Sequence, residues 1–179
     1  MRIVAGTAGG RRIGVPPGAR PTSDRAREAM FSTLAGLLDL DGAAVLDLYA
    51  GSGALGLEAL SRGAAQATFV ESDAAAAAQI TANVAALGLS GAAVSRQPVH
   101  RFVRDPPGRY DLVLADPPYE LAAPDLAEVL AALADSLPPG AVVVVERSSR
   151  DPDWLWPKPF AALRVRRYGA GALWYGRRP

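Results

Sequence analysis

Short apolar runs alternate with helical patterns from residue 44 onward, and this alternation constrains the fold more than any other feature of the sequence. The runs have the length of buried strands and lie at 44–48, 67–70, 112–115 and 142–145. The helical patterns cover 54–62, 74–87 and 125–137. Strand–helix–strand repeats of this kind predict an α/β fold, an open and mostly parallel sheet with helices on both faces. Such sheets bind ligands outside the carboxyl ends of their strands.

The two ends of the chain follow other patterns. Near the end, 163–168 and 172–176 flank Gly169-Ala170-Gly171, which predicts a C-terminal antiparallel hairpin that closes the sheet. The first twenty or so residues are rich in Gly and Pro and predict a short N-terminal extension laid over the sheet. A helix is expected from about Asp24 to Leu38, capped by Ser23 or by Asp24 itself.

The length of the chain limits the number of domains, and its composition excludes several kinds of chemistry. A chain of 179 residues predicts one domain over 1–179, with the extension and first helix in 1–40 and the core in 41–179. The absence of cysteine excludes disulfides, thiolate metal sites and cysteine nucleophiles, including those that attack pyrimidine carbon 5. With His100 the only histidine, neither a histidine-rich metal site nor a Ser-His-Asp triad is expected, and no metal is predicted.

Membrane insertion and export are not expected. No apolar run approaches the ~20 residues that cross a bilayer. The start of the chain, Met1-Arg2-Ile3-Val4, lacks the apolar stretch of a signal peptide. We therefore expect a cytoplasmic protein that does not contact a membrane.

The charges are unevenly distributed although the net charge is only +1. Residues 1–23 contain four arginines and no acid, and from Arg147 to the end seven arginines and one lysine face only Asp151 and Asp153. Two interpretations remain open. The ends are solvated charged segments, or they form a basic surface for phosphates beside a near-neutral core.

A glycine loop follows the first strand. The candidate cofactor-binding residues there are Asp47, Tyr49, Gly51, Ser52 and Gly53. Gly51 and Gly53 allow backbone and ligand to approach closely. Together with Gly56 they also match the dinucleotide pattern G-x-G-x-x-G, so a nicotinamide enzyme remains an alternative. Asp47 counts against it, because a carboxylate at the strand end repels a pyrophosphate and attracts the amino and sulfonium groups of S-adenosylmethionine.

Polar residues also follow the next two predicted strands. Glu71 ends the second strand, where its carboxylate could accept hydrogen bonds from both ribose hydroxyls of a nucleoside, and Asp73 is the alternative. Ser72 lies between them. Gln97 and Pro98 follow the third strand, where an adenine would lie.

The tetrapeptide Asp116-Pro117-Pro118-Tyr119 follows a buried strand directly, and its four residues are the candidate catalytic residues. The prolines end the strand and fix a rigid turn. The Asp116 carboxylate, also a candidate cofactor contact, and the Pro117 carbonyl are two acceptors at a fixed separation, and Tyr119 offers a flat face. Two acceptors on the N–H groups of an exocyclic amine would direct its lone pair to a methyl donor and stabilise the developing positive charge. Stacking on Tyr119 would add about 1–3 kcal/mol.

These motifs carry a family resemblance. The segments 47–53 and 116–119, with Glu71, resemble the Rossmann-like class I amino-methyltransferases. Three further stretches resemble the RsmD-like family of small-subunit (16S) ribosomal RNA guanine-N2 methyltransferases: Arg2-Ile-Val-Ala-Gly6 with Gly10-Arg-Arg12, Arg20-Pro-Thr-Ser-Asp-Arg-Ala-Arg-Glu28, and Ala50-Gly-Ser-Gly-Ala-Leu-Gly-Leu-Glu-Ala-Leu-Ser-Arg62.

The resemblance implies a catalytic core in 41–179 that uses S-adenosyl-L-methionine to methylate the N2 amine of a guanine in small-subunit ribosomal RNA. The acceptor would be the small ribosomal subunit or an assembly intermediate. Arg20, Thr22 and Arg25 would border the cofactor and the target base, and Arg11 and Arg12 would contact RNA. Gln97 departs from the family, whose members often have Asp or Asn there.

Two kinds of alternative remain. The tetrapeptide is shared with enzymes that methylate adenine, cytosine or protein glutamine, so adenine N6 or a glutamine amide could be the acceptor. A non-catalytic RNA-binding domain with the same fold is the third interpretation.

Overall fold

A seven-stranded sheet forms the centre of the structure, a computed structural model that describes residues 1–19 and 22–179. Its strands are β1 Ala44–Leu48, β2 Gln66–Val70, β3 Ala92–Ser95, β4 Leu112–Ala115, β5 Val142–Ser148, β6 Ala161–Tyr168 and β7 Gly171–Arg177. They lie in the order β3-β2-β1-β4-β5-β7-β6. β1 to β5 are parallel, whereas β7 is antiparallel to both β5 and β6. The predicted parallel sheet with a closing antiparallel hairpin is confirmed.

Helices cover both faces of the sheet, as the alternation predicts. They are α1 Asp24–Ala35, α2 Ala54–Ser61, α3 Ala74–Leu87, α4 Val99–Phe102 and α5 Ala123–Leu133, followed by a 3₁₀ turn at Ala134–Ser136. α1, α2 and α3 pack into one buried apolar cluster with one face of the sheet, and α4 and α5 into a second cluster with the other face. No helix in the described part of the chain is long and apolar enough to span a membrane.

Element bounds agree with the sequence predictions where strong local signals exist. β1, β4 and α3 have the predicted bounds, and the Ser23 hydroxyl caps α1 by accepting a hydrogen bond from the N–H of Ala26. α1 ends three residues earlier than predicted, because Gly36 terminates it. The four-residue α4 was not predicted, since one helical turn carries no periodicity.

The N-terminal arm, residues 1–19, packs on the face that α1 and α2 cover. An isolated β-bridge joins Arg2 to Arg12 within it. The Ser61 hydroxyl on α2 accepts a hydrogen bond from the N–H of Ala8 (2.9 Å) and donates one to the carbonyl of Ala5 (2.6 Å). The arm is therefore fixed to α2 by side-chain hydrogen bonds to its backbone as well as by apolar contacts.

Candidate active site

The strand order reverses between β1 and β4. From β1 the chain continues to β2 on one side and then returns to β4 on the other. Open α/β sheets bind ligands in the crevice at such a point, because the connections leaving the two strands go to opposite faces. A cavity of about 1030 Å³ lies there, lined by residues that follow β1, β2 and β4 and by parts of α4, α5 and the N-terminal arm.

The loop after β1 has an unusual backbone. Tyr49, Gly51 and Gly53 have positive φ angles of 58°, 57° and 80°, and Tyr49 is the only non-glycine residue with positive φ in the described part of the chain. A Cβ atom on Gly51 would meet no atom within 4 Å, so its backbone faces the open space of the cavity. The N–H of Gly51 donates to Oε2 of Glu71 at 2.8 Å, which joins the loop to the end of β2.

Gly56 meets a different requirement. A Cβ atom there would lie 2.4 Å from Cε1 of Phe69, a completely buried β2 residue. The third glycine of the G-x-G-x-x-G pattern therefore allows α2 to pack closely against the sheet, and Gly53 precedes α2 as its N-terminal cap. Gly53 does not line the cavity, whereas Tyr49, Gly51 and Ser52 do.

Three carboxylates act on one another at the strand ends. Asp47 is 1% exposed, and its Oδ2 accepts a hydrogen bond from the N–H of Gly56 at 2.9 Å. Burial raises the pKa of Asp47 well above its ordinary value, and the charges of Asp116 and Glu71 raise that pKa further. All three line the cavity. A cation bound among them would offset both the repulsion and the burial of charge.

The tetrapeptide after β4 lines the same cavity as the glycine loop, because β4 pairs directly with β1 in the sheet. Asp116 is half-buried, Pro117 is buried, and the Tyr119 side chain is 39% exposed. These residues and Pro118 all line the cavity. The site therefore combines a carboxylate at a strand end, a rigid turn and an accessible aromatic ring, the arrangement expected for binding a planar amine.

Arg147 on β5 fixes the end of this turn. It is 7% exposed, and its Nη2 donates to the carbonyl of Leu121 at 3.0 Å. Its Nε lies 3.5 Å from Oδ2 of Asp151. Arg147 thereby connects the tetrapeptide loop to the sheet, a contact that sequence reasoning missed because it depends on the pairing of β4 with β5.

Of the residues predicted to lie near an adenine, some line the cavity and one does not. Ser72 and Pro98 line the cavity. The Gln97 side chain instead donates to the hydroxyl of Ser95 at 2.8 Å and does not line the cavity. Val99, at the start of α4, lines it beside Pro98.

The predicted RNA-contacting residues lie mostly outside the cavity. Thr22 lines it. Arg25 is exposed in the first turn of α1, and Arg12 is exposed in the arm. Arg20 lies outside the described residues. Their roles in RNA binding stay predictions.

Arg11 has contacts at the end of α3. Its Nη1 donates to the carbonyl of Leu87 at 2.9 Å, and its Nη2 donates to the carbonyl of Ala86. Cationic groups stabilise helix C-termini, where carbonyls lack intrahelical partners. Arg11 therefore joins the arm to α3, whatever part it takes in RNA binding.

Sequence reasoning missed several cavity residues. Met1, Val15 and Ala19 bring the arm into the wall, the short α4 contributes His100, and the segment after α4 contributes Arg104. Glu146 on β5 directly follows the predicted strand 142–145, so the strand-end rule could have identified it.

Asn83 on α3 was also missed. It is 3% exposed, and its Nδ2 donates to the carbonyls of Gly14 (2.9 Å) and Ser52 (3.0 Å). Its Oδ1 accepts from the N–H of Gly14 at 2.8 Å. One side chain thus connects the N-terminal arm to the glycine loop. In residues 1–19 and 22–179, no group of three His, Cys, Asp or Glu side chains could hold a metal ion.

Comparison with known proteins places this arrangement among known sequences and structures. A family model described as "Conserved hypothetical protein 95" matches residues 1–177. The chain is 34% identical over 175 residues to the ribosomal RNA small subunit methyltransferase D of Haemophilus influenzae, covering 94% of this chain and 89% of that protein. It is 45% identical over 121 residues to the protein of the same name from Escherichia coli K12, covering 66% of this chain but only 60% of that relative. Among solved structures, the yhhF protein of Escherichia coli matches with a TM-score of 0.86 and 36% identity, over 99% of this chain and 97% of that one.

Proposed function

The chain belongs to the family described as conserved hypothetical protein 95, the RsmD-like family with the class I methyltransferase fold, and on that premise we propose that it transfers a methyl group from S-adenosylmethionine to ribosomal RNA. The acceptor in this proposal is the exocyclic N2 amine of a guanine in small-subunit ribosomal RNA. The names of the relatives from Escherichia coli and Haemophilus influenzae, ribosomal RNA small subunit methyltransferase D, support ribosomal RNA of the small subunit as the substrate class.

One observation carries the reaction type: Asp116 and the glycine loop follow the adjacent strands β4 and β1 and line the same cavity. The cofactor fits that cavity because it carries an ammonium and a sulfonium, and the mutually repelling carboxylates of Asp47, Glu71 and Asp116 favour a cation. The open space beside Gly51 leaves room for close backbone contact. Bound there, the cofactor supplies an electrophilic methyl group.

The residues of the tetrapeptide then act on the acceptor. The Asp116 carboxylate and the Pro117 carbonyl accept hydrogen bonds from the two N–H groups of the amine, which directs the nitrogen lone pair toward the methyl group. The same two acceptors stabilise the positive charge that develops on nitrogen. The exposed ring of Tyr119 stacks on a base that has been flipped out of its stack. The amine would attack while neutral, and as the N–C bond formed the S–C bond of the sulfonium would break to leave a thioether. The methylated nitrogen would then release its extra proton to solvent, so no general base is needed before the attack.

The choice of guanine N2 over other amines rests on the family and not on the geometry. The same acceptors fit adenine N6 or a protein glutamine amide. The arginine-rich ends of the chain favour RNA over a neutral peptide segment.

A methyl-transfer assay with labelled S-adenosylmethionine tests the proposal. The acceptors are unmodified small ribosomal subunits, naked small-subunit ribosomal RNA and total protein, and the digested RNA is analysed for modified nucleosides. We expect N2-methylguanosine, from the subunits or from the naked RNA. If N6-methyladenosine or labelled protein were found instead, the acceptor would be adenine or protein and not guanine. Cofactor binding with no methyl transfer to any acceptor would contradict the proposed function.

A further inference from the structure

The cavity is strongly acidic. Seven carboxylate side chains line it: Asp47, Glu71, Asp116, Glu120, Asp125, Glu128 and Glu146. In the described part of the chain, the basic side chains that line it are His100 and Arg104. Phosphate groups are repelled by a rim of this charge. An RNA strand whose base enters the cavity therefore needs a basic surface outside it for its phosphates.

The edge strand β6 carries such a surface. Arg164 and Arg166, here called the β6 arginine row, are both exposed. They lie opposite Tyr175 and Leu173 of β7, which belong to the apolar cluster under α1. Residues opposite each other in an antiparallel pair point to the same face, so the row lies on the face that α1 and the N-terminal arm cover.

The row also runs toward the edge of the sheet where the cavity opens. β6 and β5 are both antiparallel to β7, so β6 runs in the same direction as the parallel strands. Its last residue, Tyr168, pairs with Gly171, which in turn pairs with Ser148 at the carboxyl end of β5. An RNA strand lying along the row would therefore pass toward the carboxyl edge of the sheet.

The charge of the row is not neutralised by neighbouring acids. The acids between Arg147 and the end of the chain are Asp151 and Asp153, and they pair with Arg147 (3.5 Å) and Arg167 (3.2 Å). Among the described residues, no carboxylate lies within ion-pair distance of Arg164 or Arg166.

Arg167, next on the strand, shows the contrast. Its guanidinium lies 5.6 Å from the centre of the Trp174 ring, in addition to its ion pair with Asp153. The contacts of Arg167 include an acid and an aromatic ring. In the row, Nη1 of Arg166 donates to the carbonyl of Val165 at 3.3 Å, but among the described residues neither guanidinium has an anionic partner.

We propose that the β6 arginine row binds phosphate groups of the RNA strand that flanks the target nucleotide. This inference rests on the proposed function and adds the surface on which the RNA backbone lies. The alternative role of charged residues on an edge strand is to prevent pairing with another chain. That role predicts self-association of the variant and no specific change in RNA binding.

The test compares two double variants that lose the same charge. Arg164→Gln with Arg166→Gln removes the row, and Arg101→Gln with Arg109→Gln removes two exposed arginines elsewhere. Binding of unmodified small-subunit ribosomal RNA is measured between 50 and 200 mM salt, together with KM for that RNA and the Kd for S-adenosylmethionine. Thermal midpoints and sedimentation show whether each variant is folded and monodisperse.

The logarithm of the RNA association constant falls linearly with the logarithm of the salt concentration. Loss of two single-strand phosphate contacts should make this slope less steep by about 1.4. The affinity advantage of the wild type over the row variant should accordingly shrink roughly sevenfold between the two salt concentrations. KM for RNA should rise and the cofactor Kd should stay constant, while the control variant behaves as the wild type.

Three results would overturn the inference. An unchanged salt slope in the row variant would refute the role of the row in RNA binding, and so would an equal loss of RNA affinity in the control variant. In both cases the proposed function would stand. A wild-type protein that neither binds nor methylates the RNA would refute both.

Discussion

Glu58 on α2 joins the N-terminal arm to the core, and Glu58→Gln tests how much that connection contributes. The side chain is completely buried, and its carboxylate accepts hydrogen bonds from the N–H groups of Val4 (2.9 Å) and Ala5 (3.0 Å) and from Nε of Arg62 (2.9 Å). Nη1 of Arg27, also completely buried, lies 3.9 Å away. The substitution keeps the shape of the side chain and removes its charge and one acceptor oxygen.

The expected loss follows from these contacts. Breaking a buried ion pair destabilises a protein by about 3–5 kcal/mol, because the remaining charge is left uncompensated. Arg27 keeps a second partner, since its Nη2 lies 2.6 Å from Oδ1 of Asp24, so we expect the lower end, about 3 kcal/mol. In a chain of this size each kcal/mol lowers Tm by about 2–4 °C, so Tm should fall by about 6–12 °C.

Urea and thermal unfolding measure the loss, and hydrogen exchange at the amides of Val4 and Ala5 locates it. The matched control is Glu28→Gln on α1, an exposed position where we expect a change within about 0.5 kcal/mol. If Glu58→Gln were no more destabilising than Glu28→Gln, or if the two arm amides kept their protection, the reasoning about the buried carboxylate would be refuted.

Three further substitutions test the site. Asp116→Ala should lower the methylation rate at saturating cofactor by about 10²-fold or more, because it removes one transition-state hydrogen-bond acceptor, and should weaken cofactor binding by much less, since Asp47 and Glu71 remain; a wild-type rate in single-turnover assays would contradict the mechanism. Asp47→Asn should weaken cofactor binding in calorimetry yet raise Tm progressively above wild type as pH increases. Because the pKa of Asp47 is raised in the folded protein, its protonated form contributes stability at pH values below its ordinary pKa of 3.8. This contribution is lost as pH rises through the folded-state pKa. A Tm difference between variant and wild type that did not depend on pH would disprove the raised pKa. Gly56→Ala should destabilise the chain by about 1–3 kcal/mol, since the new methyl group overlaps the buried Phe69 ring; unfolding at the wild-type urea midpoint would show that α2 shifts freely.

The sequence predicted those features that depend on local pattern. The bounds of β1 and β4 follow from apolar runs that end at a glycine loop and at a proline pair, and both ends lie at the cavity as expected. Gln97 shows the limit of this reasoning. Its position after β3 predicts a ligand contact, which stays a prediction, whereas the hydrogen bond from its amide to the hydroxyl of Ser95 depends on the folded backbone and could not be predicted.

Contacts between distant segments could not be predicted from spacing. Asn83 lies 69 residues from Gly14 and 31 from Ser52, and an asparagine within a helical pattern is typical of an exposed position. Its burial follows from the packing of α3 against the arm. Arg11 is a similar case: the contact of its guanidinium with the carbonyls at the end of α3 could not be predicted from its basic segment, and its role in RNA binding stays a prediction.

The position of the arm implies that its docking and cofactor binding are thermodynamically linked. Met1 and Val15 line the cavity, and Asn83 bonds both to Gly14 in the arm and to Ser52 in the glycine loop. A ligand that binds only when the arm is docked stabilises the docked state by about 2.7 kcal/mol at a hundredfold excess over its Kd. Because linkage is reciprocal, a change that destabilises the docked arm must also weaken binding of the ligand. Glu58→Gln lies outside the cavity lining, so a raised cofactor Kd in that variant would have to arise through the arm. An unchanged Kd would show that the cavity wall formed by the arm contributes nothing to binding.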